Sequence, residues 1–408
     1  MARSPLTLAA SVTAALPRAG VVGVAALTEG AGGRYDSALA TLDDGRRVVV
    51  RVPVDADADR DLRAESRALA ALTAGVRAVV PFAAPAVLGD AVLGGSAAVV
   101  QTWLPGYRVD AAQVPPGPGV ATALGGAIAA VHDLPASVVR DAGLPMLDAT
   151  QVRAEAERLL DRAEATGLLP FGLLRRWSAA VAADALWHFE TTVTLGGVDP
   201  ASFLFEDDDD GAPVITGLLH WGGLAVGDPA VDLRWLASGP DARVDVLDAY
   251  AAASHRAVDG ALWERARLHA ELEFASWLVH GHAAGAEGVV ADAVALLDAL
   301  DESVRDAPPL SQEAVTVDDA IAAFGRVPEA AAVDTSMQTD TYDADALGEY
   351  TSDHSADAAT GEMVATEEET APIELSEWSP QLPAERADDD DDPDQAARNA
   401  LRRWTETA

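Results

Sequence analysis

Residues 194–205 read TLGGVDPASFLF, and residues 217–233 read GLLHWGGLAVGDPAVDL. Each is an apolar run, a glycine turn and a second apolar run, and the latter closes on a Gly-Asp-Pro turn that opens a helix. Val193, Val198, Phe203, Leu204, Phe205, Ile215, Leu218 and Leu219 provide strand and core material. Between the two runs lies EDDDDG, Glu206 to Gly211, whose charges suit the solvated tip of a hairpin better than a cation site. This island, residues 191–233, interrupts a stretch from about 120 to 305 that is otherwise helical in its spacing, as in ATALGGAIAAVHDL and VVADAVALLDALDESV.

Toward the N-terminus the periodicity changes from helix to strand. Val21–Leu27, Ser37–Leu42 and Arg47–Val54 alternate as strands do, and Asp44-Gly45 between the last two marks a tight hairpin. The first hairpin carries TEGAGGRYD, with Gly30, Gly32 and Gly33. Next comes DADRDLRAESRALAALTAGV, where Leu62, Leu69 and Leu72 share a helix face and Gly75 is the expected stop. AVLGD and SAAVVQTWLPG complete an antiparallel sheet. At the chain start, Ser4-Pro5 caps a helix with Leu6, Leu8, Ala9 and Val12 on one face, in preference to a secretory signal peptide.

Composition excludes several functions. The chain has 408 residues with 66 acids against 28 bases, every base is arginine, and the net charge is −38. A nucleic-acid backbone finds no matching charge here, nor does an anionic membrane surface, and no apolar run reaches bilayer length. The absence of cysteine removes disulfides, thiolate metal sites and cysteine nucleophiles. Residues 308–408 hold 25 acids against five arginines, a net −20, and include ADDDDDPD. That composition predicts a largely disordered tail ending in a short arginine-flanked segment, NALRRW, and makes a protein partner for the tail an expectation. A cytoplasmic location is expected.

The order along the chain is informative: a glycine hairpin, a basic third strand at Arg51, a helical Glu65 fourteen residues on, then QTWLPG with Gln101 and Trp103. Taken singly these have plainer readings, with the glycines as a turn, Arg51 at a sheet edge and Glu65 as a solvated charge. Together with LATLDDGRRVVVRVP, AESRALAAL, AAVHDLPASVVRDAG and GLLHWGGLAVGDPAVDL, they resemble the aminoglycoside/macrolide phosphotransferase family, and most its macrolide 2′-phosphotransferase branch, over residues 20–305.

The resemblance implies a two-lobed α+β, protein-kinase-like fold. Residues 1–105 would form the N-lobe, 106–307 a mainly helical C-lobe, and 308–408 the tail. It also implies a nucleotide site of Gly30, Gly32, Gly33, Arg51, Glu65, Gln101 and Trp103, with ATP or GTP as the ligand. The family's catalytic loop, H-G-D-x-x-x-x-N, falls on LGGVDPAS: Leu195 takes the His position, Gly197 the catalytic Asp and Ser202 the Asn. His220 takes the metal-binding Asp, and Gly223 a common following acid, while Asp228 and Asp232 are retained. Asp199 is the one nearby surrogate base, although an Asp-Pro turn explains it as well. With neither base nor hard oxygen ligands for Mg²⁺, the expectation is a pseudokinase that binds a nucleotide, small molecule or protein partner. An active small-molecule phosphotransferase with other catalytic residues is the alternative.

Overall fold

The computed structural model describes residues 3–27 and 33–310. Gly30, Gly32 and the acidic tail lie outside the described residues. Helix α1 (Pro5–Ala15) starts where Ser4 accepts a hydrogen bond from the Thr7 amide. A five-stranded antiparallel sheet follows, built from β1 (Val21–Ala26), β2 (Tyr35–Leu42), β3 (Arg47–Pro53), β4 (Val87–Leu93) and β5 (Ser96–Thr102) in the order β1-β2-β3-β5-β4. Between β3 and β4 run α2 (Ala56–Ala71) and α3 (Ala74–Val79).

Strand alternation sorts the sheet's two faces. Ala38, Ala40, Leu42, Val48, Val50, Val52, Ala98 and Val100 pack with Leu8 and Val12 of α1 into one core. Full burial of each valine or leucine is worth about 1.5–3 kcal/mol. The opposite face therefore receives Arg51, whose neighbours across the ladder are Ser37 and Val99.

Three local expectations are corrected. Leu6 stays 76% exposed because α1 turns only Leu8, Ser11 and Val12 inward. Gly75 does not end the preceding helix: α2 ends at Ala71 with Leu72 as its C-cap, and Thr73 caps α3 by accepting from the Val76 amide. Arg51 is not at an edge, since β3 is the middle strand.

The C-lobe comprises α4 (Val120–His132), α5 (Ser137–Asp141), α6 (Ala149–Ala165), α7 (Phe171–Ala182), the short strands β6 (Thr192–Thr194), β7 (Phe203–Asp207), β8 (Pro213–Leu218) and β9 (Ala225–Gly227), then α8 (Arg243–Ala253), α9 (Leu262–Ala283) and α10 (Glu287–Val304). β7 pairs with β8 and β6 with β9, both antiparallel. The Gly-Asp-Pro turn opens a 3₁₀ run, Pro229–Ala237, with Asp228 as its cap. Ala68, Leu69 and Leu72 of α2 join Leu124, Phe203, Phe205 and Trp221 in one core, so α2 is seated on the C-lobe. A second core of Trp177, Leu268, Leu272 and Leu297 lies among α6, α7, α9 and α10. Among the described residues no helix is long and apolar enough to cross a membrane.

Candidate functional site

The loops that carry the two glycine-rich runs are organised by two buried carboxylates, Asp232 of the 3₁₀ run and its cap Asp228. Asp232 is fully buried and accepts from three backbone amides: Leu195 at 2.7 Å, Gly197 at 2.6 Å and Val198 at 3.2 Å. His132 of α4 places Nε2 3.1 Å from the same carboxylate, and its Nδ1 meets the Tyr250 hydroxyl at 2.9 Å. Burial opposes ionisation of Asp232, but His132 and the amides of Leu195 and Gly197 outweigh it and hold the carboxyl below its usual range.

Asp228 receives Nε of Arg265 at 2.9 Å and Nε2 of His269 at 2.9 Å, and caps the turn through the Ala230 amide. Burial pushes this carboxyl up; Arg265 and His269 more than reverse that and bring it down to about 2. Arg265 also pairs with Asp259 at 2.7 Å and 2.9 Å and lies over the Phe189 ring. The frame of the loop is thus complete.

The positions that the frame presents are empty of carboxylates. Gly197 has φ near +101°, and a β-carbon there would stand 2.4 Å from Nη1 and 2.5 Å from Cζ of Arg234. The guanidinium of Arg234, held by Nε to Glu273 at 2.9 Å, occupies the space over Gly197. At Gly223 a β-carbon would fall 2.1 Å from the Leu195 carbonyl oxygen, which is backbone and does not swing away. Leu195 itself is buried core.

Ser202 and His220 meet across 2.8 Å, Oγ to Nδ1. Burial drives the His220 imidazole down to about 4; Arg51 and Arg108 push the same way and Glu65 opposes. The pair is neutral at pH 7, and no group of three or more ionisable ligands able to hold a metal exists among the described residues. Mg²⁺ needs hard, largely anionic oxygen donors, so these residues do not fit it. The Glu206–Gly211 acids form an exposed hairpin tip in which Asp208 accepts from the Asp210 and Ala212 amides. Asp199 accepts from the Ala201 amide at 2.8 Å as the cap of a short 3₁₀ turn, and burial raises its carboxyl.

On the upper wall, Arg51 Nη1 meets Glu65 Oε2 at 2.5 Å, with both side chains mostly buried, and the Arg51 guanidinium lies 4.2 Å from the Tyr35 ring. The turn at Gly222 packs against Glu65, which brings His220 close to this ion pair. Gln101 is buried and its Nε2 has no partner among the described residues. Trp103 is half-buried under Arg47, whose guanidinium lies 3.4 Å from the ring centre. Gly33 is exposed two residues ahead of β2.

Four residues around these loops escape motif reading. Arg234 and Arg108 have no counterpart in the catalytic pattern, although Arg108 stands just beyond QTWLPG. His132 lies inside AAVHDLP without an evident role until Asp232 meets it. Arg265 is thirty-odd residues from any motif and reads as an ordinary helical charge.

A model of the phosphotransferase enzyme family matches residues 27–269, more than half of the chain. The apoenzyme of macrolide 2′-phosphotransferase MphH from Brachybacterium faecium is 26% identical, over 70% of this chain and 96% of its own, with a TM-score of 0.59. A macrolide 2′-phosphotransferase type I is 24% identical over 73% of this chain and 98% of its own, at a TM-score of 0.58. The wild-type aminoglycoside 2′-phosphotransferase-IIIa in its GDP complex shares the fold at 18% identity and a TM-score of 0.60, over 74% of this chain and 99% of its own. No curated protein matches the chain.

Proposed function

From the premise that the chain belongs to the phosphotransferase enzyme family, we propose that it is a pseudokinase that holds a nucleotide or other phosphate-bearing small molecule in the interlobe cleft without transferring phosphate. One observation carries this reading. The space that the missing carboxylates need is already filled, by the Arg234 guanidinium at Gly197 and by the Leu195 carbonyl at Gly223. A general base must reach the acceptor proton, and here the nearest group is a cation. Charge stabilisation by Mg²⁺ lacks its ligands, because Ser202 and His220 satisfy each other. What remains is binding: Arg51, tied to Glu65, supports a fixed guanidinium on the central strand.

Calorimetric titration of the full chain with ATP and GTP, with and without Mg²⁺, tests the proposal, alongside assays for nucleoside diphosphate release. Metal-independent binding without turnover is the expected result. Turnover that disappears in Asp199→Asn would instead establish an enzyme using that residue as its base, and would overturn the reading.

A further inference from the structure

Arg108 stands apart from the other cleft cations. Arg51 is paired with Glu65, Arg47 is stacked on Trp103, and Arg234 is anchored to Glu273. Arg108 is exposed and has no ion pair or hydrogen bond among the described residues.

Its position is set by backbone. Tyr107 and Phe205 form an antiparallel bridge, with both N–H···O bonds made at 2.9 and 2.8 Å, and their rings stack at 5.9 Å. The Tyr107 hydroxyl donates to Asp207 at 2.7 Å. The segment after the interlobe link is therefore clamped to β7, and from Tyr107 the antiparallel direction carries Arg108 toward the Ser202 end of that strand. There it acts electrostatically on His220, as Arg51 does from the opposite wall. Partial desolvation, and after it the charge of Arg51, lowers the Arg108 pKa. Two guanidinium groups thus act on the neutral Ser202–His220 pair.

We propose that Arg108, with Arg51, takes the place of the divalent cation in this cleft, so that the ligand is a di- or triphosphate anion bound free of metal. The inference rests on the pseudokinase reading above and specifies how its site works. A guanidinium grips phosphate oxygens through paired N–H donors and carries its charge without needing carboxylates to hold it. A metal bound to the same phosphate oxygens competes with that grip. Added Mg²⁺ is therefore expected to weaken binding, the reverse of its effect in a metal-dependent phosphotransferase.

The experiment is calorimetric titration of the full chain and of Arg108→Gln with inorganic pyrophosphate, GDP and ATP, in EDTA and again in excess Mg²⁺. Arg108 makes no internal bond, so the variant should melt with the wild type, which a thermal scan verifies. The expected result is wild-type binding in EDTA, weakened by Mg²⁺, and reduced about 10-fold or more in Arg108→Gln. Equal metal-free affinity in both proteins would remove Arg108 from the site and leave the pseudokinase reading standing. Binding that requires Mg²⁺, or no binding of any of the three probes under either condition, would overturn both.

Discussion

Asp228 and Asp232 hold their places in the C-lobe saturated with partners, while Gly197, Ser202, His220 and Gly223, a few ångströms along the same loops, supply no carboxylate at all. The first pair accepts from four backbone amides, two histidines and an arginine between them. The second set packs against its neighbours: Gly197 under Arg234, Gly223 against the Leu195 carbonyl, and Ser202 on His220. The difference separates two uses of a carboxylate. One closes buried backbone donors and is needed to fold; the other meets a metal or a substrate and is needed only to react.

That contrast can be broken by substitution. Asp232→Ala should have the largest effect, because three amides and His132 lose their acceptor inside the core: about 3–5 kcal/mol of stability, read from urea unfolding. A loss below about 1 kcal/mol would show that the loop does not depend on it. Gly223→Ala comes next, at roughly 2–3 kcal/mol, since the new methyl meets a backbone carbonyl and the loop has to move.

Acid sharpens the same comparison. Asp228 is depressed in the folded state to about 2, against 3.8 for a free carboxyl. Its contribution is complete above pH 4 and is lost as pH falls from about 4 toward 2, amounting to roughly 2 kcal/mol. Asp228→Asn should flatten that part of the stability curve, at the cost of a weaker protein at neutral pH. Gly197→Asp is expected to leave turnover of ATP and GTP at background and to cost about 1–2 kcal/mol, from the positive φ and the crowding at Arg234. An arriving carboxylate there would ion-pair with Arg234 and become a poor base, so measurable phosphate transfer by this variant would break the contrast outright. The smallest effect belongs to His220. Its folded value of about 4 lies below that of a free imidazole, 6.5, so stability is full above pH 6.5 and declines as pH falls toward 4. With partial solvent access the loss should be about 1 kcal/mol, and His220→Gln should abolish it, as seen by comparing melting at pH 7.5 and 5.

The fold was legible because its determinants are local. Alternation in VVVRVP, the Asp44-Gly45 turn and the Gly-Asp-Pro cap each act within a few residues, and they place the sheet, its central strand and the catalytic frame. The helix stop at Gly75 was misread for the same reason: glycine is a frequent terminator, but Thr73 offers a better cap for a new helix two residues earlier. The missing carboxylates at 197 and 220 were visible by position alone. What occupies their space was not. Arg234 reaches Gly197 across the turn of a 3₁₀ run, and Arg108 comes to the Ser202 end of β7 through a single backbone bridge. Such contacts depend on tertiary placement and leave no periodic trace in the chain. The covering of Gln101 and Trp103, burial for one and Arg47 for the other, likewise left no mark in the chain.

The contact between Gly223 and the Leu195 carbonyl also works as a ratchet. Once two loops have settled to a separation that only glycine tolerates, no single codon change restores an acidic side chain there without first driving the backbones apart. A variant acidic at position 223 would have to pass through an intermediate that is less stable. Selection for stability alone is then enough to keep the site closed, whether or not any ligand has come to depend on it.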